Sequence, residues 1–146
     1  MRKRIPAYIL VFGQFLAIGW LIVSAYPFQL TLIAFMLCAI GIIIGAWAIW
    51  VMRVSKISIL PIPHMEADLV TNGPYRLIRH PMYTAVLLFT LGLTIDNFQW
   101  INWLIWVVLG IVLIIKLNWE EKMLIVQFPS YQSYQQSSYK LFPFLY

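Results

Sequence analysis

An all-α membrane protein with about four spanning helices is the fold class this sequence predicts, on three observations. Of its 146 residues, 62% are hydrophobic and 10% charged, far from the balance of an average soluble domain. Long apolar runs free of charge recur, at about the roughly 20 residues a bilayer core demands of a helix. The basic residues gather where those runs end. One domain over residues 1–146 accounts for the length, with neither an internal repeat nor a low-complexity linker.

The first predicted span covers residues 6–26 and the second residues 28–52, with Tyr26-Pro27 as the turn between them. Arg2, Lys3 and Arg4 ahead of the first span resemble the start of a secretory signal. Its apolar part is too long for one, however, and leads straight into a second span. Gly41 and Gly45 give the second span a G-x-x-x-G spacing that admits close approach of another helix, read here as packing within the chain. Cys38 stands alone, so it forms neither a disulfide framework nor a cysteine metal site and is read as a packing residue. The loop VSKISILPIPHMEADLV that follows cannot be one helix, because Pro61 and Pro63 interrupt it, and it alternates like a strand or an interfacial segment.

The third span, residues 82–95, holds 14 residues. At ~1.5 Å per residue such a run reaches about 21 Å. It is expected to tilt into a hairpin with the fourth, residues 98–116, around Asp96-Asn97. Trp119 to Phe128 continues as a short C-terminal amphipathic helix leaving the membrane, and Pro129 stops it. Behind it, Tyr131, Tyr134, Tyr139, Phe142, Phe144 and Tyr146 have the composition of headgroup anchors.

With four spans and both termini on the cytoplasmic side, all ten basic residues, from Arg2 to Lys140, fall on one face or at its membrane boundary. The net charge of +5 then reads as topology and contact with anionic membrane lipids rather than nucleic-acid binding. Residues 71–85, TNGPYRLIRHPMYTA, form a polar knot on that face. Asn72-Gly73-Pro74 is a turn signal, and Pro74 suits the first position of a short helix. Pro81 biases His80 out of the α region, which makes His80 the cap of the third span. Free N–H groups at that helix start would favour an anion, beside donors from Arg76, Arg79 and His80 and the faces of Tyr75 and Tyr83. Lys116 and Glu120, four residues apart on one helical face, read either as a surface ion pair or, beside this loop, as a functional cluster together with Glu121.

The stretch Leu69 to Tyr83, LVTNGPYRLIRHPMY, followed by a hydrophobic hairpin, E-E-K-M-L from Glu120 and F-P-S-Y-x-x-Y, resembles the isoprenylcysteine carboxyl methyltransferases and their phospholipid methyltransferase relatives. The resemblance covers residues 66–146. It implies an integral membrane methyltransferase that uses S-adenosylmethionine on a hydrophobic or lipid-like acceptor. By position it implies cofactor contacts from Leu69, Val70, Tyr75, His80, Pro81, Met82, Tyr83 and Glu120. Lys116 falls where the carboxyl methyltransferases place a substrate-binding arginine, and Lys116 and Arg79 are the residues expected to serve catalysis.

Three departures stand out. Lysine cannot make the bidentate carboxylate fork of arginine, Pro129 replaces a glycine found in many relatives, and Ala67 replaces a polar residue. The short length resembles small prokaryotic members. A cation near the acceptor suits a carboxylate, whereas an amine must first lose a proton, so carboxyl O-methylation is expected ahead of phospholipid N-methylation. An NADPH-dependent membrane reductase with a related H-P-x-Y pattern, and a scaffold whose arginines hold headgroups, are the competing readings.

Overall fold

The computed structural model describes residues 4–53 and 69–143. The chain forms α1 (Arg4–Ser24), α2 (Leu32–Arg53), a 3₁₀ turn (Gly73–Arg76), α3 (Pro81–Asp96), α4 (Trp100–Gln127) and the short α5 (Tyr131–Gln136). All regular structure among the described residues is helical, as the sequence predicts, apart from one isolated parallel bridge between Ile78 and Tyr139. Two helices, α2 and α4, are long and apolar enough to cross a membrane. The apolar part of α1 from Tyr8 and the 16-residue α3 are shorter. Length and composition thus support two of the four expected spans.

The boundaries shift for local reasons. α1 runs two residues earlier at each end than the predicted 6–26. α2 starts at Leu32 rather than at residue 28 because Thr31 sits in front of it as a cap. The Thr31 hydroxyl accepts from Ala34 N–H at 3.4 Å, while its own N–H donates to Asp96 Oδ1 at 2.8 Å. α3 gains Pro81 and Asp96, and the hairpin turns at Asn97 to Gln99, just after the expected Asp96-Asn97. α4 starts at Trp100, two residues late, and absorbs both the fourth span and the amphipathic segment. No proline or glycine lies between Gly110 and Pro129, so nothing breaks the hydrogen-bond ladder at the membrane boundary. The interfacial reading of residues 54–68, with Lys56, Pro61 and Pro63, lies outside the described residues, as do Arg2, Lys3, Phe144 and Tyr146.

The helices alternate in direction, and small residues set how closely they meet. A Cβ on Gly41 would lie 2.8 Å from both Ala85 O and Phe89 N, and one on Gly92 would lie 2.7 Å from Ala34 O and Cys38 Sγ. The G-x-x-x-G pair is therefore spent inside the chain, α2 against α3. Gly92 answers it from the other helix. Cys38 is buried there, and its thiol donates to Phe89 O at 3.4 Å. α1 packs antiparallel on α4 around Leu21, Leu109, Leu113 and Leu117, with Leu87 and Leu141 closing the cluster. At the hairpin end, Trp20 Nε1 donates to Asn102 Oδ1 at 3.2 Å and Asn102 Nδ2 to Asn97 O at 3.1 Å, while the Asn97 amide donates to Ser24 O.

Candidate functional site

The polar knot is assembled at the opposite end, where α2 stops and α3 starts. Gly73 turns the chain with φ 58°, a region glycine enters without strain. Space demands glycine as well, since a Cβ would lie 2.8 Å from Val51 Cγ2. The turn lays Pro74 and Tyr75 against the end of α2. There Tyr75 and Val70 are buried with Ala48 and packed by Val51, Met52 and Met82. Leu69 is half-buried beside them. The Tyr75 hydroxyl is buried with no hydrogen-bond partner among the described residues. Burial, then Tyr134 and Glu120, push its pKa well above the ordinary tyrosine range, so it stays a neutral donor and acceptor.

His80 caps α3 as Pro81 predicts, but the free amides expected around it are largely taken. Arg79 N–H donates to Tyr139 O at 2.7 Å and His80 N–H to Lys140 O at 3.1 Å. Tyr83 and Thr84 N–H both donate to the His80 carbonyl, and Pro81 has no N–H. The tail backbone at Tyr139 and Lys140 and a tight first turn therefore occupy most of the predicted anion site. What remains is a side-chain cluster. The His80 and Tyr83 rings stack 5.5 Å apart at 6°. The Tyr83 hydroxyl donates to Glu120 Oε1, and Glu120 Oε2 lies 3.6 Å from His80 Nδ1. His80 Nε2 comes within 3.4 Å of Glu121 Oε1 but lacks hydrogen-bond alignment, which leaves it a second buried, unsatisfied atom.

Glu121 faces another way. It is 6% exposed and accepts from Arg79 Nε at 2.7 Å and Gln135 Nε2 at 3.2 Å, with the Tyr131 hydroxyl at 3.5 Å and Lys140 Nζ at 3.8 Å. Arg79 in turn donates through Nη1 to Gln135 O at 3.0 Å and to Ser138 O. The Arg79 guanidinium, expected to serve catalysis, lies between Glu121 and the C-terminal tail and ties the two together. Among the described residues, the tail aromatics pack back onto the site end. Tyr131 is 1% exposed, the Tyr134 hydroxyl donates to Tyr75 O, Tyr139 N–H donates to Leu77 O at 2.9 Å, and Phe142 packs on the leucine cluster. Their signal in the sequence was the F-P-S-Y-x-x-Y spacing, which puts two tyrosines on one face of α5.

Lys116 is 8% exposed. Of the two readings of Lys116, the surface ion pair with Glu120 does not form: Lys116 Nζ donates to Gln14 Oε1 of α1 at 3.1 Å and lies 5.0 Å from the centre of the Tyr83 ring. Gln14 escaped the sequence reading because a lone amide in an apolar span has no spacing to mark it. The structure thus brings together Tyr75, His80, Tyr83 and Glu120, with Lys116 against the far side of Tyr83. Leu69, Val70, Pro81 and Met82 form apolar surroundings, and Arg79 stands behind.

Compared with known proteins, residues 29–130 match the family model of phospholipid methyltransferases. Neither a curated protein nor a solved structure gives a match.

Proposed function

The chain belongs to the phospholipid methyltransferase family, and on that premise we propose that it transfers a methyl group from S-adenosylmethionine to a lipid-like acceptor whose nucleophile is an anionic oxygen. The observation that carries the cofactor is the buried Tyr75 Oη, without a hydrogen-bond partner among the described residues, in one cluster with His80, Tyr83 and Glu120. Such an atom costs about 1–3 kcal/mol when left unpaired. A ligand bearing an ammonium, a carboxylate and ribose hydroxyls matches that donor set. Glu120 would hold the ammonium or the hydroxyls, and His80 with the first turn of α3 at Met82 the carboxylate. Tyr75 and Tyr83 would offer ring faces to a cation, and Leu69, Val70 and Pro81 would complete the apolar wall.

S-adenosylmethionine supplies, when bound, a methyl group on a positively charged sulfur. The chain's own task is then alignment and exclusion of water. A carboxylate needs no proton removed, so the site requires no general base, and Lys116 suits it as a counter-charge. Amine methylation on a phospholipid headgroup, which the family description favours, is the second reading. The buried Lys116 ammonium argues against it by repelling a protonated amine.

All four long helices serve as spans in this reading, with the site on the cytoplasmic side. Arg53, Arg76, Arg79, Lys122 and Lys140 collect at the site end of the alternating helices, which supports that orientation.

Binding of labelled S-adenosylmethionine to the detergent-purified chain tests the proposal. Saturable binding is expected, weakened about tenfold or more by Glu120→Gln and by His80→Ala. A folded protein with no saturable binding refutes it, and saturable NADPH binding in its place would support the reductase. Methyl transfer over membrane lipid extracts then separates the acceptors, because an ester methyl is released by mild base and an amine methyl is not.

A further inference from the structure

Arg79 and His80 are consecutive in the chain, and both reach the same oxygen of Glu121. Oε1 accepts from Arg79 Nε at 2.7 Å and lies 3.4 Å from His80 Nε2, with the Tyr131 hydroxyl at 3.5 Å. Oε2 serves the tail, where it accepts from Gln135 Nε2 at 3.2 Å and has Lys140 Nζ at 3.8 Å. A buried carboxylate held through both oxygens has no room to turn. Glu120 is placed differently, with a side chain 19% exposed that the Tyr83 hydroxyl holds from one side.

The His80 ring keeps a single freedom. Its backbone N–H is tied to Lys140 O at 3.1 Å, its carbonyl accepts from Tyr83 and Thr84 N–H, and its ring lies against Tyr83 at 6°. These contacts fix the position and plane of the ring but not its edge. A half-turn about χ2 keeps the plane and exchanges Nδ1 with Cδ2 and Nε2 with Cε1. It would set carbon atoms against both carboxylates. An ionised carboxylate only accepts hydrogen bonds, so it selects the edge that offers a nitrogen bearing a proton. The bond made by one ring nitrogen also fixes where the proton sits. When a ligand draws Glu120 away, Glu121 is the acid that still holds that edge.

We propose that Glu121 is a positioning residue for cofactor binding: it keeps a proton on His80 Nε2 and so holds the Nδ1 edge toward Glu120 and the cofactor. Glu121 acts through His80 and does not touch the cofactor itself. Arg79 completes the device by fixing Glu121. The inference rests on the methyltransferase reading for the cofactor and on the geometry alone for the ring.

The full chain labelled with nitrogen-15 histidine, in detergent at neutral pH, reads the ring directly. The sequence holds a second histidine, His64, and His80→Ala assigns the signals by removing one set. Wild-type His80 should carry a proton on Nε2 with and without S-adenosylmethionine, and a bare Nε2 overturns the proposal. Glu121→Asp keeps a counter-ion for Arg79, whose long side chain can follow it, but draws the carboxylate back from a ring that cannot. This variant should lose the Nε2 proton signal and bind labelled S-adenosylmethionine severalfold more weakly. In a His80→Ala background the same substitution should cost no further affinity. A purely structural Glu121 predicts losses that add in the double variant, and that result overturns the proposal, as does wild-type affinity in Glu121→Asp. If Glu121→Asp does not fold, Arg79→Lys, which loosens Glu121 without removing the charge beside it, takes its place with the same expectations. An Nε2 proton that depends on Glu121 in a protein that binds no S-adenosylmethionine would leave the hold on His80 standing and remove the methyltransferase reading. A bare Nε2 in a protein that binds it would do the reverse.

Discussion

Glu120 and Glu121 are neighbours in the chain and face different work. Successive residues on a helix are turned by about 100°, so Glu120 meets Tyr83 and one nitrogen of His80, while Glu121 meets Arg79, the tail and the other His80 nitrogen. The doubled acid was legible as a site in the sequence, but the division of labour was not, because it depends on where α5 and residues 137–143 come to lie. Glu121→Gln should leave the buried Arg79 charge without its counter-ion, a loss of about 3–5 kcal/mol for a buried pair. The expected outcome is a clear drop in melting temperature, with a weaker cofactor site as the tail loosens. Glu120→Gln, on a carboxylate 19% exposed, should cost affinity for S-adenosylmethionine with little change in melting temperature. Lys116 separates along another axis. Lys116→Ala should spare cofactor affinity and lower turnover, measured with whichever lipid the extract screen returns, and an equal loss of both would assign Lys116 to the cofactor.

At the level of elements, the α2–α3 contact could be read from composition and the tail could not. Gly41 and Gly45 announce a close approach, and backbone atoms of Ala85 and Phe89 occupy the space that a side chain on Gly41 would need. Gly41→Leu should therefore force the two helices apart and reduce the folded yield in detergent, whereas Gly13→Leu, where a Cβ meets nothing within 4 Å, should be tolerated. The tail is held through carbonyls of Gln135, Ser138, Tyr139 and Lys140, groups every residue possesses, so no side-chain pattern gives it away. One side-chain contact does carry a titration. The Tyr134 hydroxyl donates to Tyr75 O, and burial pushes its pKa from 10.0 up to about 12. The folded state thus holds this proton more tightly than the unfolded chain does. The stabilisation is complete below pH 10 and fades as pH rises through about 12. Protease cleavage after Tyr134 should accelerate over that interval, and Tyr134→Phe should show faster cleavage already at neutral pH.

Across the described residues, two polar networks lie at opposite ends of the helices, with a leucine cluster and the single Gln14–Lys116 pair between them. The hairpin end is closed by Trp20, Asn97 and Asn102, and the site end by the tail and the two glutamates. The sequence displays the site end because its residues are charged and punctuated by proline. It hides the hairpin end because a single asparagine in an apolar run looks like noise, although Asn102 is 1% exposed. The two ends should respond independently to mutation, since effects at distant sites without shared partners add. Asn102→Leu keeps the branched shape, though with a larger volume, and removes the partner of Trp20 Nε1 and of Asn97 O. Hydrogen bonds between membrane helices average about 0.6 kcal/mol and reach about 1.7, so two lost bonds should cost roughly 1–3 kcal/mol. A lowered melting temperature with unchanged S-adenosylmethionine affinity is the expected result, read by thermal unfolding and by the same binding assay used for Glu120→Gln. Loss of cofactor affinity in Asn102→Leu would mean that the leucine layer transmits strain from the hairpin to the site, and that the helices act as one rigid unit rather than as two polar ends joined by an apolar spacer.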